Sequence, residues 1–302
     1  MLINTISDIS LGDRMHDYES KNNHKIKPYE GFVIRFDGHK FSKLTKNCKQ
    51  PFDINFIIAM GKTMKDLVEH FEAQSGYCHS DEITLIFNKK CEISKYQDFL
   101  DGHLTKSDIQ IHIYDGRIQK LISLGSAYCS VRFNYHFDEI MTTKENINKY
   151  DEKFIDLIRC KQQIFDARVL VFSDENLHEI VNHQIWRSIY DCHRNAISKY
   201  AHVQFGHKKI LGKKSDEMIE MLKEVGIDWN IIPQYIKYGL YCKKILVEKE
   251  IYNEKIIRSE YIFKQLKISF NQENLKFLLD KYYTPNDDDN DTVTNNINLF
   301  VV

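Results

Sequence analysis

Two carboxylates carry the chemistry of this chain. Asp37 ends the apolar run Phe32-Val33-Ile34-Arg35-Phe36 and is followed by Gly38-His39-Lys40-Phe41-Ser42. Asp81 sits in Ser80-Asp81-Glu82, just before a second apolar run, Ile83-Thr84-Leu85-Ile86-Phe87. Acidic residues at adjacent strand ends can hold a pair of magnesium ions against a nucleoside triphosphate, because magnesium takes oxygen ligands and keeps one or two carboxylates plus substrate phosphates around it. Such ions can activate a hydroxyl and steady a leaving pyrophosphate. Gly38 has no Cβ, so a metal or phosphate can approach its backbone. The amides of His39, Lys40, Phe41 and Ser42 can face a phosphate chain. Lys40, Lys43, Arg117 and Lys120 are candidate cations for it; Arg117 and Lys120, three apart, share a helical face near a helix start. Asp191, Arg194 and Asn195 also share a face. Cys192 and His193 lack a second pair at ligand spacing, so the sequence predicts no zinc site there.

The elements that must position these groups are legible from periodicity. Residues 32–37 predict a buried strand. Asp53 predicts an N-cap, with Ile57, Met60, Met64, Leu67, Val68 and Phe71 at helical spacing behind it. Residues 77–87 predict a hairpin with Ser80-Asp81-Glu82 at its tip. Residues 89–115 read as irregular and polar. A second helix is expected over 117–134, with Gly125 close to the sheet, and a strand over 165–172. Ser173 is expected to cap a helix through Val181, followed by a helix from about 184 to 205. This order is the βαββαβ pattern of a ferredoxin-like α+β core. RNA-binding modules, polymerase palms and nucleotide cyclases all use it, so the fold does not choose the function.

The domain reading is an arm over 1–30, a palm-like catalytic domain over 31–205, a Lys-rich RNA-binding region over 206–247, and a helical, charged extension with an acidic, disordered tail over 248–302. In the Lys-rich region, Lys208, Lys209, Lys213, Lys214, Lys237, Lys243 and Lys244 are expected to meet an RNA backbone. Net charge is only -1, so any basic surface must be local. Apolar residues are 42% and charged residues 28%, a globular balance. The seven scattered cysteines argue against a disulfide framework. No apolar stretch is long enough to cross a bilayer, and the acidic first twenty residues are unlike a secretory or mitochondrial leader. A cytoplasmic location is the expectation.

The motifs together resemble the tRNA-histidine guanylyltransferase superfamily. Ile34-Arg35-Phe36-Asp37-Gly38 with Phe41 is similar to its first metal motif and Tyr77-Cys78-His79-Ser80-Asp81-Glu82 to its second. Tyr114-Asp115-Gly116-Arg117-Ile118-Gln119-Lys120 resembles the next helix start. Phe165-Asp166-Ala167-Arg168, the stretch from Trp186-Arg187 to Ser198, Phe205-Gly206-His207-Lys208, Leu211-Gly212-Lys213-Lys214 and Gly226-Ile227-Asp228-Trp229-Asn230 also fit. The later motifs look like the guanylyltransferase-like branch.

The resemblance implies a nucleotidyltransferase that extends tRNA 5′ ends in the 3′-to-5′ direction. It would use two or more Mg2+ ions, take ATP and GTP or another NTP as substrates, and assemble as a homotetramer. It implies Asp37, the Gly38 carbonyl and Asp81 as metal ligands with Glu82 in support. Nucleotide contacts would come from residues 37–42, Ser80, Arg117 and Asn195. Lys120 and His193 would lie at the phosphates of the activating nucleotide. His193-Arg194-Asn195-Ala196 departs from the His-Ile-Asn-Asn of the guanylyltransferase proper, which favours templated repair over tRNA-His guanylylation. His79 stands where relatives often carry Gln, and Gln50 where a basic residue is common. The readings from other classes are a non-catalytic RNA-binding module on the same fold and a nucleotide cyclase-like enzyme or dinucleotide synthase.

Overall fold

A computed structural model describes residues 9–251 and 254–284. The chain opens with helix α1 (Leu11–Ser20), capped by the Ser10 hydroxyl, so part of the expected arm is helical. Strand β1 (Gly31–Gly38) leads into a short helix α2 (Phe41–Thr45) and the long helix α3 (Ile54–Phe71). Asp53 caps α3 by accepting from the Asn55 amide, as its sequence position predicts. Strands β2 (Ser75–His79) and β3 (Glu82–Phe87) form the hairpin. Helix α4 (Ile93–Leu100) falls in the stretch read as irregular; Ile93, Tyr96, Phe99 and Leu100 stand at helical spacing, but the helix is short, has no side-chain N-cap and buries no residue.

Helix α5 (Ile118–Met141) runs seven residues past the expected end. Helix α6 (Glu152–Arg159) and strand β4 (Phe165–Phe172) follow. After β4 a 3₁₀ turn (Asp174–Asn176) precedes α7 (His178–Ile185), and Ser173 makes no side-chain cap. A π-helical segment (Trp186–Cys192) then runs straight into α8 (His193–Phe205). Next come α9 (His207–Ile210), α10 (Ser215–Glu224) and α11 (Gln234–Tyr238).

The expectation of a helical 248–283 is corrected. Strands β5 (Leu240–Ile251) and β6 (Glu254–Lys264) form a long hairpin, and among the described residues of this stretch only α12 (Gln272–Leu279) is helical. The Lys and Glu residues there favour helix locally, but β5 finds β2 as a pairing partner and tertiary contact overrides propensity. The expected boundary at 247/248 lies inside β5. The acidic run from Asn286 falls outside the described residues.

The six strands lie in the order β4-β1-β3-β2-β5-β6, every neighbouring pair antiparallel. The first four reproduce the expected ferredoxin-like arrangement, and the class is α+β. One core lies between the sheet and α3 with α5, built from Phe32, Ile34, Phe36, Ile83, Leu85 and Phe165 against Met64, Phe71, Phe133 and Phe137. A Cβ on Gly125 would stand 2.9 Å from the Phe36 ring, which is why α5 can seat so closely. The opposite face buries Val33, Tyr77, Ile86 and Tyr241 under α7 and α12. A third cluster joins α8 and α10 around Trp229.

Candidate functional site

Strand alternation sets the site. Asp37 lies on the face of β1 that carries Val33 and Arg35. Its register partners are Glu82 on β3 and Asp166 on β4. The Gly38 amide donates to the Asp81 carbonyl at 3.1 Å, fastening the hairpin tip to the end of β1. Ser80 adopts the left-handed conformation (φ 49°), and its hydroxyl donates to Asp81 Oδ1 at 3.0 Å. The two carboxylates predicted to converge therefore stand at one corner of the sheet.

The electrostatics of Asp37 are those of an acid that a cation would stabilise. Burial raises the Asp37 carboxyl above its ordinary value, and the charges of Asp81 and Asp166 raise it further. Arg35 and Arg168 act the other way, with Arg168 Nη2 4.0 Å from Asp37. An all-oxygen, partly open set of mutually repelling carboxylates fits a hard divalent ion.

The residues after Asp37 play mixed parts. The Phe41 ring covers Gly38 so tightly that a Cβ there would meet it at 2.5 Å. Phe41 is itself buried among Phe56, Phe133 and Phe165, so its side chain packs the core. The His39 amide already donates to the Ile164 carbonyl at 2.9 Å. That leaves the amides of Lys40, Phe41 and Ser42, where Lys40 turns left-handed (φ 58°) to start α2.

Glu82 is engaged elsewhere. Its carboxylate pairs with the Arg187 guanidinium and lies 3.2 Å from His79 Nε2. Arg187 Nη1 also reaches Asp191 Oδ2 at 2.6 Å, and Asp191 holds Arg194 at 2.6 Å. His79, Glu82 and Asp191 have the mutual spacing of a metal trio, but Arg187 sits among them. The trio is an ion-pair network joining hairpin to π-helix. Burial, then Arg187, pushes His79 down to about 4, so it is neutral at physiological pH.

A cleft opens beside this network. Its walls are Thr45, Cys48, Phe52, Phe56 and Met60 on one side, and Cys78, His79 and Ser80 from the hairpin. Cys192, Asn195, Ala196 and Lys199 close it from the helical side, with Tyr235 and Leu240. Asn195 thus joins Ser80. His193 lies differently: it stacks on Tyr238 at 5.3 Å and accepts from Trp229 Nε1 at 3.1 Å, with its pKa lowered chiefly by burial.

Arg117 and Lys120 are not brought to Asp37 within the chain. α5 sets Gly125 against Phe36 and Phe133 against Phe165, so its start points away from the Asp37 end. There the pair lines a shallow groove with His16, Glu19 and Asn23 near α1.

The expectation that Lys243 meets RNA is corrected. Lys243 is fully buried; its ammonium donates to the carbonyls of Gln74, at 2.8 Å, and Asp280, and burial lowers its pKa to about 7. Lys237 donates to the carbonyls of Trp229 and Asn230, and Lys244 lies over the rings of Tyr261 and Tyr282. Lys208, Lys209, Lys213 and Lys214 are exposed, as required of RNA contacts. Sequence reasoning missed Lys199 altogether. Its one signal is the four-residue spacing from Asn195.

A family comparison and the solved structures point to one group. The family described as "Thg1: tRNAHis guanylyltransferase" matches residues 12–173. An uncharacterized protein, R259, of Acanthamoeba polyphaga mimivirus is 40% identical over 282 residues, covering 93% of each chain. Among solved structures, a bacterial tRNA(His) guanylyltransferase (Thg1)-like protein in complex with ATP superposes with a TM-score of 0.66 and 23% identity, over 91% of this chain and 100% of that one. A bacterial Thg1-like protein in complex with GTP gives 0.60 and 25%, over 85% and 92%. The tRNA(His) guanylyltransferase of Saccharomyces cerevisiae gives 0.55 and 21%, over 80% and 94%.

Proposed function

The chain belongs to the tRNAHis guanylyltransferase family, and on that premise we propose that it is a magnesium-dependent nucleotidyltransferase building tRNA 5′ ends in the 3′-to-5′ direction, with templated 5′-end repair as its main task. The observation that carries the reading is the meeting of Asp37 and Asp81 at one sheet corner, with a third acid, Asp166, raising the local negative charge. Asp37, the Gly38 carbonyl and Asp81 would hold the ions. Magnesium there would supply charge stabilisation for an attacking hydroxyl and a departing pyrophosphate. The ATP and GTP complexes of the bacterial relatives support triphosphates as substrates.

The chain's own groups have definable roles in this scheme. Ser80 orients Asp81 through its hydroxyl. Lys40 and Lys43, at and just beyond the start of α2, would meet the phosphates, and the cleft with Asn195 would receive the nucleoside. Lys208, Lys209, Lys213 and Lys214 would meet the tRNA backbone. Arg117 and Lys120 stand at the other end of the sheet, so a role at nucleotide phosphates requires a second copy of the chain, as in a homotetramer. The cytoplasm, where tRNA and triphosphates abound, is the proposed location.

The test is incubation with Mg2+, ATP, each labelled NTP in turn, and a tRNA lacking its first 5′ nucleotide. The expected result is incorporation of the nucleotide complementary to the opposite acceptor-strand base, lost in Asp81→Ala. Equal background in both proteins would point to a non-catalytic RNA binder. A cyclic product formed without tRNA would replace the tRNA reading altogether.

A further inference from the structure

Four residues of α8 stand at i, i+3, i+4 and i+7: Asn195, Ser198, Lys199 and His202. That spacing makes one stripe about 10 Å long on the helix surface. All four carry hydrogen-bond donors, and together they form one wall of a groove of about 490 Å³. The facing wall is His207, the turn from Ile210 to Lys213, and Met218. Among the described residues no carboxylate lines the groove. Leu211 is 72% exposed there. Lys213 meets Glu217 at 3.4 Å in an exposed pair of the kind that is easily exchanged for another anion.

Asn195 and Lys199 also line the cleft that contains Ser80. The two cavities share a wall, and Lys199 stands at their junction. Its ammonium lies 4.7 Å from the Phe52 ring centroid, half-buried, and makes no hydrogen bond or ion pair among the described residues. Burial lowers its pKa, while Cys48, Asp81 and Asp53 pull the other way, which puts it within electrostatic reach of the metal corner. A half-buried ammonium that no anion contacts directly can bind one that arrives. A free nucleotide needs one closed cleft. A stripe of donors leading outward past exposed apolar surface suits an extended strand, with phosphates on the donors and a base against Leu211.

We propose that this groove receives the 5′-terminal strand of the RNA and that Lys199, at its inner end, holds the terminal 5′-phosphate beside Asp37 and Asp81. The inference rests on the nucleotidyltransferase reading and adds where the acceptor end lies. It makes Lys199 the residue that senses whether the 5′ end is phosphorylated.

The test compares binding of one 5′-truncated tRNA, in 5′-phosphorylated and 5′-hydroxyl forms, to the full-length protein without nucleotide, and measures GTP affinity in parallel. The wild type is expected to prefer the phosphorylated form by about tenfold or more, the scale of a charge-assisted hydrogen bond. Lys199→Met should bring that ratio close to one, and Lys199→Arg should keep most of it. His202→Ala with Leu211→Ser, both at exposed positions, should weaken the two RNA forms equally and leave GTP affinity unaltered; this arm does not depend on how the cleft repacks. A wild-type ratio of one, a ratio unchanged by Lys199→Met, or a loss of GTP affinity alone would overturn the proposal. Failure of the enzymatic reading looks different: the wild type would incorporate no nucleotide into the truncated tRNA, whatever its binding preference.

Discussion

At the residue scale, function concentrates in charges held where their neighbours disfavour them. Asp37 is raised by burial and by two other carboxylates, so a divalent ion bound there would compete with a proton. Mg2+ affinity, followed by titration calorimetry, should weaken as the pH falls from neutral toward the raised Asp37 value. Asp37→Asn and Asp81→Asn should each lower nucleotide incorporation by about a thousandfold or more, since each removes charge from the proposed metal site. Thermal melting should be unchanged or slightly raised, because repulsion is relieved. Lys243 shows the reverse case, a lysine that serves packing. Lys243→Ala should destabilise the protein by about 2–4 kcal/mol in urea titrations, because two carbonyls lose their donor and a cavity opens. tRNA affinity should not follow it.

At the scale of elements, the decisive joint is between the β2–β3 hairpin and the π-helical segment. Arg187 is buried and pairs with Glu82 on β3 and Asp191 one turn along its own helix. The π geometry lets Arg187 lean into the sheet while α8 continues beyond it; single π turns of this kind recur at functional sites. Arg187→Met would strand Glu82 without its cation, while Asp191 keeps Arg194, and the loss should be about 3–5 kcal/mol in denaturant unfolding. Because Glu82 directly follows Asp81, the same variant should weaken Mg2+ binding even though Arg187 touches no metal ligand. Arg187→Met with Glu82→Gln should recover part of the stability. No recovery would mean that the two side chains are not coupled.

At the scale of the whole molecule, proton and salt balances become measurable. His79 and His112 are buried, each with its pKa pushed down to about 4, chiefly by burial. The unfolded chain binds protons on these rings near pH 6.5 and the folded chain does not, so stability falls as pH drops from about 6.5 to 4. Urea midpoints across that window should fall, and less steeply in His112→Phe. tRNA binding should weaken strongly between low and moderate salt, since phosphate contacts release counterions. Lys208→Ala with Lys209→Ala should lower the slope of that dependence without changing stability. A slope indifferent to both lysines would remove the 207–214 surface from the tRNA contact.

The sequence by itself determined the first four strands, the capped helix α3, the close approach at Gly125 and the meeting of Asp37 with Asp81. The strands, the cap and the glycine are written in short-range terms: alternation of apolar residues, an N-cap, a missing Cβ; the meeting of the two acids, far apart in sequence, follows from the order of the elements, which sets β1 beside β3. The motifs in order also carried the family. Only the tertiary structure decided the rest. It turned the charged stretch after Leu240 into strands, because β2 offered an open edge that no local pattern reveals. It buried Lys243, engaged Glu82 with Arg187, set Lys120 at the start of α5, away from Asp37, and exposed Lys199 to two cavities at once. Those outcomes depend on which side chains meet across elements distant in sequence. The pairing of charges in space follows packing, and spacing along the chain does not encode it.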